Sequence, residues 1–230
     1  PNENARWNIF IANLNAPRQI VLSGEKKALL GVIQKLKNDG FNAKEIPVAG
    51  PFHTPFFKAA QDDLEEKIRE LKLDPPKIPL YSNTSGELYP TKEQKIKDLL
   101  SKHLLSPVRF SEEIEQMYQD GVRLFIEVGP NKVLTGLINT ILENKPIRAV
   151  AVEGQGGGIK GLLSATGIIF TSGCELNLDP IFKERNCKYL SLADALKLSN
   201  KTQLSKASVL LHGGGVRDFD ESKVKSGKLD

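Results

Sequence analysis

Among 230 residues there are three histidines, and one of them, His53, has a setting suited to proton transfer. It stands in Gly50-Pro51-Phe52-His53-Thr54-Pro55-Phe56-Phe57, at the start of a predicted helix. Thr54 is of a helix-capping type, and Pro55 suits a first turn, where a missing N–H costs nothing. Phe57, Ala60, Leu64, Ile68 and Leu71 follow at spacings of three, four, four and three, the apolar stripe of an amphipathic helix. A histidine at that end meets the positive pole of the helix dipole, which favours the neutral ring able to accept a proton. Read in its own context, His53 is either a satisfied core histidine or a general base, and the residues alone leave both open.

A base needs a nucleophile, and no Gly-x-Ser-x-Gly elbow occurs in the chain. Ser23, Ser85 and Ser172 each adjoin one glycine, but none is flanked two residues away on both sides. The two cysteines, Cys174 and Cys187, lie 13 positions apart with no histidine at metal-ligand spacing. They read as reduced, partly buried thiols of a cytoplasmic protein, and no metal site is expected. Gly154-Gln155-Gly156-Gly157-Gly158 fits neither a dinucleotide fingerprint nor a P-loop, since Lys160 is not followed by Ser or Thr, and reads as a flexible turn. His212-Gly213-Gly214-Gly215 is similar to an oxyanion loop of lipases, but it falls in a polar tail and reads as linker. His103 ends a predicted helix, where a histidine usually serves as a cation beside the dipole.

Composition excludes several classes. A net charge of +4, with 40% hydrophobic and 26% charged residues, is ordinary for a globular chain. The lysines are dispersed and no basic stripe is interleaved with aromatics, so nucleic-acid binding has no support. No apolar run approaches the roughly 18 residues of a membrane span, and no signal peptide is evident. The chain opens Pro1-Asn2-Glu3 without methionine, as a segment of a longer polypeptide would.

The elements that must position these residues are predicted as follows. A strand over 7–12, a turn at Asn15-Ala16-Pro17, a strand at Gln19–Leu22, a helix at Glu25–Asn38 and a strand at Phe41–Val48 suggest a small ferredoxin-like unit over residues 1–50. Beyond the His53 helix come a strand at Ile78–Asn83 and a helix from Thr91 to His103, with Gln94 placed for a capping box. Next follow a helix at Ser111–Asp120 with Ile114 and Tyr118 inward, and a near-continuous apolar strand at Val122–Val128 of the kind found at a parallel sheet centre. A helix at Asn131–Glu143 and a strand at Ile147–Val152 complete an α/β layer. A helix at Ile159–Thr171 stops at Gly173, and from Asn200 the chain reads as flexible tail.

Five segments in order carry a resemblance. They are Ile11-Ala12-Asn13-Leu14-Asn15-Ala16-Pro17-Arg18-Gln19-Ile20-Val21-Leu22-Ser23-Gly24, Gly50-Pro51-Phe52-His53-Thr54-Pro55, Tyr81-Ser82-Asn83-Thr84-Ser85-Gly86, Ser106-Pro107-Val108-Arg109-Phe110, and Glu127-Val128-Gly129-Pro130-Asn131-Lys132-Val133-Leu134-Thr135-Gly136-Leu137. Together, over about residues 7–152, the chain resembles the malonyl-CoA:acyl carrier protein acyltransferase family, particularly acyltransferase domains of polyketide and polyunsaturated fatty acid synthases.

The resemblance implies an α/β hydrolase-like fold with a ferredoxin-like small subdomain, of which this chain is the C-terminal part. Residues 1–50 would be the small subdomain, 51–152 the C-terminal part of the α/β subdomain, 153–199 a linker segment following the acyltransferase, and 200–230 the tail. It implies ping-pong transfer: a serine takes the malonyl group from malonyl-CoA, and the phosphopantetheine thiol of an acyl carrier protein collects it. His53 would then be the general base, and His103, four positions before the proline of Ser-Pro-Val, would supply the backbone carbonyl that orients it. Phe52, immediately before the base, resembles the malonyl-type pattern and would filter the acyl group. Asn15 and Gln19 read as turn and strand-start residues, and both are candidate site-lining positions within the first matching segment.

The family's serine elbow and carboxylate-binding arginine precede the small subdomain. The expectation is therefore a chain that holds the histidine half without the nucleophile, is inactive alone, and works beside neighbouring synthase domains. Two other activities share these features: an acyl hydrolase editing carrier-bound intermediates, and a non-catalytic fragment that docks carrier proteins.

Overall fold

The structure, a computed structural model, describes residues 8–48, 50–153, 157–183, 191 and 193, with strands at 209–212 and 215–218. The chain falls into two compact units, Pro1–Glu127 with Val133–Ala149, and Val128–Lys132 with Val150–Asp230.

The first unit opens with an antiparallel hairpin, β1 (Ile9–Ala16) and β2 (Gln19–Gly24). Its register shifts twice, between Ile11 and Asn13 and again between Leu14 and Ala16. Ala12 and Asn15 are thus extra residues on β1, bulges that bend the strand. Asn15 was expected in a turn, but it is a bulge residue; the turn falls at Pro17-Arg18. The hairpin closes tightly where Gly24 passes Asn8, since a Cβ at Gly24 would sit 2.1 Å from the Asn8 carbonyl oxygen.

Helix α1 (Lys26–Asn38) follows, with Leu29, Ile33 and Leu36 half-buried on one face. Gly40, at φ +84°, ends it as only glycine does without strain. The strand expected at Phe41–Val48 does not form. Phe41, Ile46 and Val48 are exposed, Pro47 has no N–H to give a ladder, and neither edge of the β1–β2 hairpin pairs with this segment. Among the described residues the expected ferredoxin-like unit is therefore a hairpin with one helix.

A three-residue 3-10 turn, Pro55–Phe57, leads into α2 (Lys58–Glu70). Its inner face is Gln61, Leu64 and Ile68, whereas Ala60 and Leu71 of the expected stripe are exposed. Gln61 is accepted inward because its side-chain oxygen takes a hydrogen bond from Lys58 Nζ at 3.2 Å. The strand expected at 78–83 shrinks to β3 (Tyr81–Ser82), paired with β4 (Glu87–Leu88) across a turn. Helix α3 (Glu93–Lys102) starts two residues later than expected, and no capping box forms because Gln94 bonds Asp98 instead.

Helix α4 (Phe110–Gln119), β5 (Leu124–Glu127) and α5 (Val133–Ile141) enclose the core of this unit. Ile114, Phe125, Ile138 and Leu142 are buried together, with Tyr118 packed against them as expected. At about 1.5–3 kcal/mol per fully buried large apolar side chain, this cluster is the main cohesive element around the site. Arg148, the first residue of β6 (Arg148–Ala151), donates its N–H to the Arg123 carbonyl beside β5. The near-continuous burial expected for 122–128 is not seen: Ile126 is 42% and Val128 82% exposed.

In the second unit, α6 (Gly158–Thr171) runs to Gly173 as expected, and a short α7 (Asp179–Phe182) follows. The remainder of the expected glycine-rich turn, 154–156, lies outside the described residues, as does Cys187. Cys174 is exposed, not partly buried. Within the expected flexible tail, β7 (Val209–His212) and β8 (Gly215–Asp218) form an antiparallel hairpin. The signal was present: an apolar run and a second strand separated by Gly-Gly is a hairpin pattern. Among the described residues, no helix is long and apolar enough to cross a membrane.

Candidate active site

The site is built where four of the sequence motifs meet. The Ser106-Pro107-Val108-Arg109 segment is stitched to β1 on one side: Val108 N–H donates to the Ala12 carbonyl and Leu14 N–H to the Val108 carbonyl, each at 2.8 Å. The outer edge of β1 is open to this bridge, because the β1–β2 sheet has only two strands. On the other side, Arg109 N–H donates to the Asn83 carbonyl at 2.7 Å, fixing the segment to the β3–β4 turn.

His53 sits on a tight loop facing this segment. Its φ of +60° is left-handed, a region that histidine enters more readily than most residues but still at a cost. The loop is held by its neighbours. Thr54, with no exposed surface, donates its hydroxyl to the Pro51 carbonyl at 2.6 Å, and Phe52 N–H donates to the Gly50 carbonyl at 3.0 Å. Thr54 was expected to cap a helix; its hydroxyl instead closes this loop, so no side-chain cap forms. His53 accordingly precedes a 3-10 turn, and α2 itself begins five residues later at Lys58.

The ring nitrogen Nδ1 of His53 lies 3.2 Å from the His103 carbonyl oxygen and 3.1 Å from that of Ser106. Carbonyl oxygens only accept, so Nδ1 must carry the proton that both receive. That assignment leaves the lone pair on Nε2, the form of imidazole that accepts a proton from a substrate or nucleophile. Sequence reading anticipated the first carbonyl through the family motif but missed the second. Its position depends on the stitching of Val108, two residues on, to β1, which no local pattern reveals.

His103 caps the C-terminal end of α3, and its half-buried ring meets that of His53 edge-on, with centroids 5.2 Å apart at 78°. Its Nδ1 lies 3.1 Å from Thr84 Oγ1 on the β3–β4 turn. Burial first, and then the neighbouring His53, hold this ring below the ordinary histidine range. Both effects disfavour the helix-terminal cation expected from sequence. Thr84 was quoted within a family-like segment but given no task.

Ahead of His53, Phe52 stacks on Phe57 with centroids 4.6 Å apart. Glycine at position 50 makes room for the stack, because a Cβ there would approach Phe57 to 3.2 Å. Phe52 remains 43% exposed, so one face of its ring is open to a ligand. Of the other candidate residues, Asn15 is half-buried on β1 and Gln19 exposed at the start of β2, opposite Ala16.

The Glu127 motif serves the scaffold. Its carboxylate accepts the N–H groups of Leu134 and Thr135 and the Thr135 hydroxyl, so it caps the first turn of α5. Partial burial works against the charge, but the hydrogen bonds from Thr135 and its neighbours prevail and hold Glu127 below the ordinary carboxylate range. A carboxyl with a lowered folded value contributes stability that is complete above its unfolded value and is lost as pH falls through the folded one. Urea unfolding followed between neutral and acid pH should therefore show a smaller acid loss in Glu127→Gln, alongside lower stability at neutral pH; an unchanged acid limb would exclude this role.

The acyl transferase domain family matches residues 2–171, and the chain belongs to that family. The match runs past the last motif and takes in α6. The malonyl CoA-acyl carrier protein transacylase of Bacillus subtilis is 38% identical over 146 residues, covering 63% of this chain and 45% of that protein. A polyunsaturated fatty acid synthase polypeptide of Thraustochytrium is 31% identical over 153 residues, covering 65% of this chain and 5% of that protein. The crystal structure of malonyl CoA-acyl carrier protein transacylase from Clostridium perfringens superposes with a TM-score of 0.65 at 31% identity, covering 74% of this chain and 52% of that one. The chain thus shares a mixed α/β fold with transacylases, and it spans about half the length of the single-domain relatives it matches.

Proposed function

We propose that this chain carries the base-bearing part of an acyltransferase that moves a malonyl group from malonyl-CoA to the phosphopantetheine thiol of an acyl carrier protein, in fatty acid or polyketide synthesis. The observation that carries the reading is the pair of carbonyls, of His103 and Ser106, on Nδ1 of His53. It leaves Nε2 as the acceptor for a serine proton. The serine oxygen attacks the thioester carbonyl, the carbon–sulfur bond breaks, and the coenzyme A thiolate leaves with the proton that Nε2 held. In the second half-reaction Nε2 takes the proton of the carrier thiol, whose sulfur attacks the acyl-serine, and the proton returns to the serine oxygen. No resident cofactor or metal takes part, since malonyl-CoA is substrate and phosphopantetheine arrives on the carrier.

Residues 1–50 are assigned to the small subdomain, 51–152 to the base-bearing part, and 153–230 to segments downstream of the chemistry. The nucleophile is assigned to a part of the acyltransferase outside these residues, because no serine elbow occurs among them. The test is the complete domain incubated with malonyl-CoA and a phosphopantetheine-bearing carrier. Malonyl-carrier should accumulate; release of malonate without it would indicate a hydrolase, and neither product would indicate a docking module.

Phe52 is assigned to acyl selection, its ring held by Phe57 so that little room remains for an α-methyl branch. A clash of this kind is worth about 1–3 kcal/mol, so discrimination of roughly 10–200-fold is expected. In competition between malonyl-CoA and methylmalonyl-CoA, Phe52→Ala in the complete domain should lose most of that preference. An unchanged product ratio would remove Phe52 from the selection.

A further inference from the structure

His103 reaches His53 twice, once with its carbonyl and once with its ring. The carbonyl belongs to the C-cap of α3, past the last residue of the regular helix, where helix carbonyls have no intrahelical partner. The backbone there keeps helical angles, and the Leu105 and Ser106 N–H groups close the turn on the Lys102 carbonyl at 3.2 and 3.1 Å. The side chain adds a hold from a separate element, because its Nδ1 is tied to Thr84 Oγ1 at 3.1 Å.

Thr84 is itself rigidly placed. Its N–H donates to Ser82 Oγ at 3.2 Å, and Ser82 is 2% exposed. Gly86 N–H closes the same turn on the Ser82 carbonyl at 2.7 Å, and Gly86 holds φ +76°. The next residue back, Asn83, gives its carbonyl to Arg109 N–H, three positions from Ser106. One turn therefore touches both arms that carry the acceptors on His53: it reaches Arg109, in the Ser106 segment, through the backbone, and His103 through a side-chain hydrogen bond.

We propose that Thr84 and the His103 side chain are positioning residues for His53: the Thr84 hydroxyl anchors the His103 ring, the anchored ring fixes the His103 carbonyl, and that carbonyl helps hold His53 as the Nδ1–H tautomer. A ring kept neutral by burial suits the task, because it stays a partner for a hydroxyl without placing a second cation beside the base. The inference deepens the functional reading and rests on it for its biological meaning, but its test is independent of any transfer activity.

The test uses the chain with its imidazoles labelled with ¹⁵N. In a fixed neutral tautomer the two ring nitrogens of His53 resonate far apart; exchange between tautomers draws them together. At a pH where the rings are neutral, the unaltered chain should show widely separated His53 nitrogens with the proton on Nδ1. Thr84→Val, which keeps the volume but removes the hydroxyl, should draw the two resonances together. His103→Gln, which keeps the backbone carbonyl, should do the same. Thr84→Ser restores a hydroxyl and should keep them apart.

Separation unchanged in Thr84→Val or His103→Gln would overturn the proposal for that residue. Loss of the folded spectrum in both would overturn it as well, assigning the pair to stability alone. If the tautomer shifts as expected while the complete domain transfers no malonyl group, positioning stands and the functional reading falls.

Discussion

His53→Ala in the complete acyltransferase domain is expected to lower malonyl transfer to the carrier by about 10²–10⁴-fold, the usual contribution of a positioned general base. The size follows from the division of labour at the ring. Nδ1 is occupied by the carbonyls of His103 and Ser106, so Nε2 is the only nitrogen able to take a proton. In the proposed reaction both half-reactions use it, first on the serine and then on the carrier thiol. The substitution should leave the fold in place, since the loop around it is closed by Thr54 on Pro51, although alanine loses the ring's hydrogen bonds and its edge-on contact with His103 and tolerates φ +60° less well. A modestly lowered melting temperature with a collapsed transfer rate is the expected pair of observations. Binding of malonyl-CoA should change far less than turnover, and turnover near that of the unaltered domain would sink the assignment.

The second large effect concerns the chain by itself. Incubated with malonyl-CoA and examined by intact mass, it should carry no malonyl ester. Ser23, Ser85 and Ser172 all lack the flanking glycines of a nucleophile elbow. Ser23 lies on β2, Ser85 in the β3–β4 turn accepting the Glu87 N–H, and Ser172 just past α6, with its hydroxyl on the Ile168 carbonyl. Ser23, although it lies near the end of the strand that leads into α1, is paired within the hairpin opposite Phe10, and neither Ser85 nor Ser172 lies between a strand and a helix. A malonyl adduct mapped to any of the three would show that the chain contains its own nucleophile.

The position of the base was legible in the sequence because it depends on local signals, a histidine between Phe52 and Thr54-Pro55 ahead of a helical pattern. The hydrogen bonds that give it a tautomer were not, since their acceptors lie 50 and 53 residues away. Turn chemistry misled at Asn15, where a residue favoured in turns occupies a bulge. Propensity misled at Phe41–Val48, where apolar residues spaced like a strand find no partner edge. In the tail, the polar composition from Asn200 outweighed the short Val209-Leu210-Leu211 run that forms β7. The interior helix α4 was read well, because Ile114 and Tyr118 fall at helical spacing over one core, which Ile138 of α5 joins.

These residues describe one device: a histidine with its Nδ1 proton committed to two carbonyls and its Nε2 free to move a substrate proton. The measurement that tests it most directly is the loading half-reaction, because it omits carrier binding. The complete domain and its His53→Ala variant are mixed with malonyl-CoA in a single turnover, and malonyl-serine is followed by intact mass. The account predicts that the unaltered domain loads fully while the variant loads slower by about 10²–10⁴-fold. Loading of both at the same rate would contradict it.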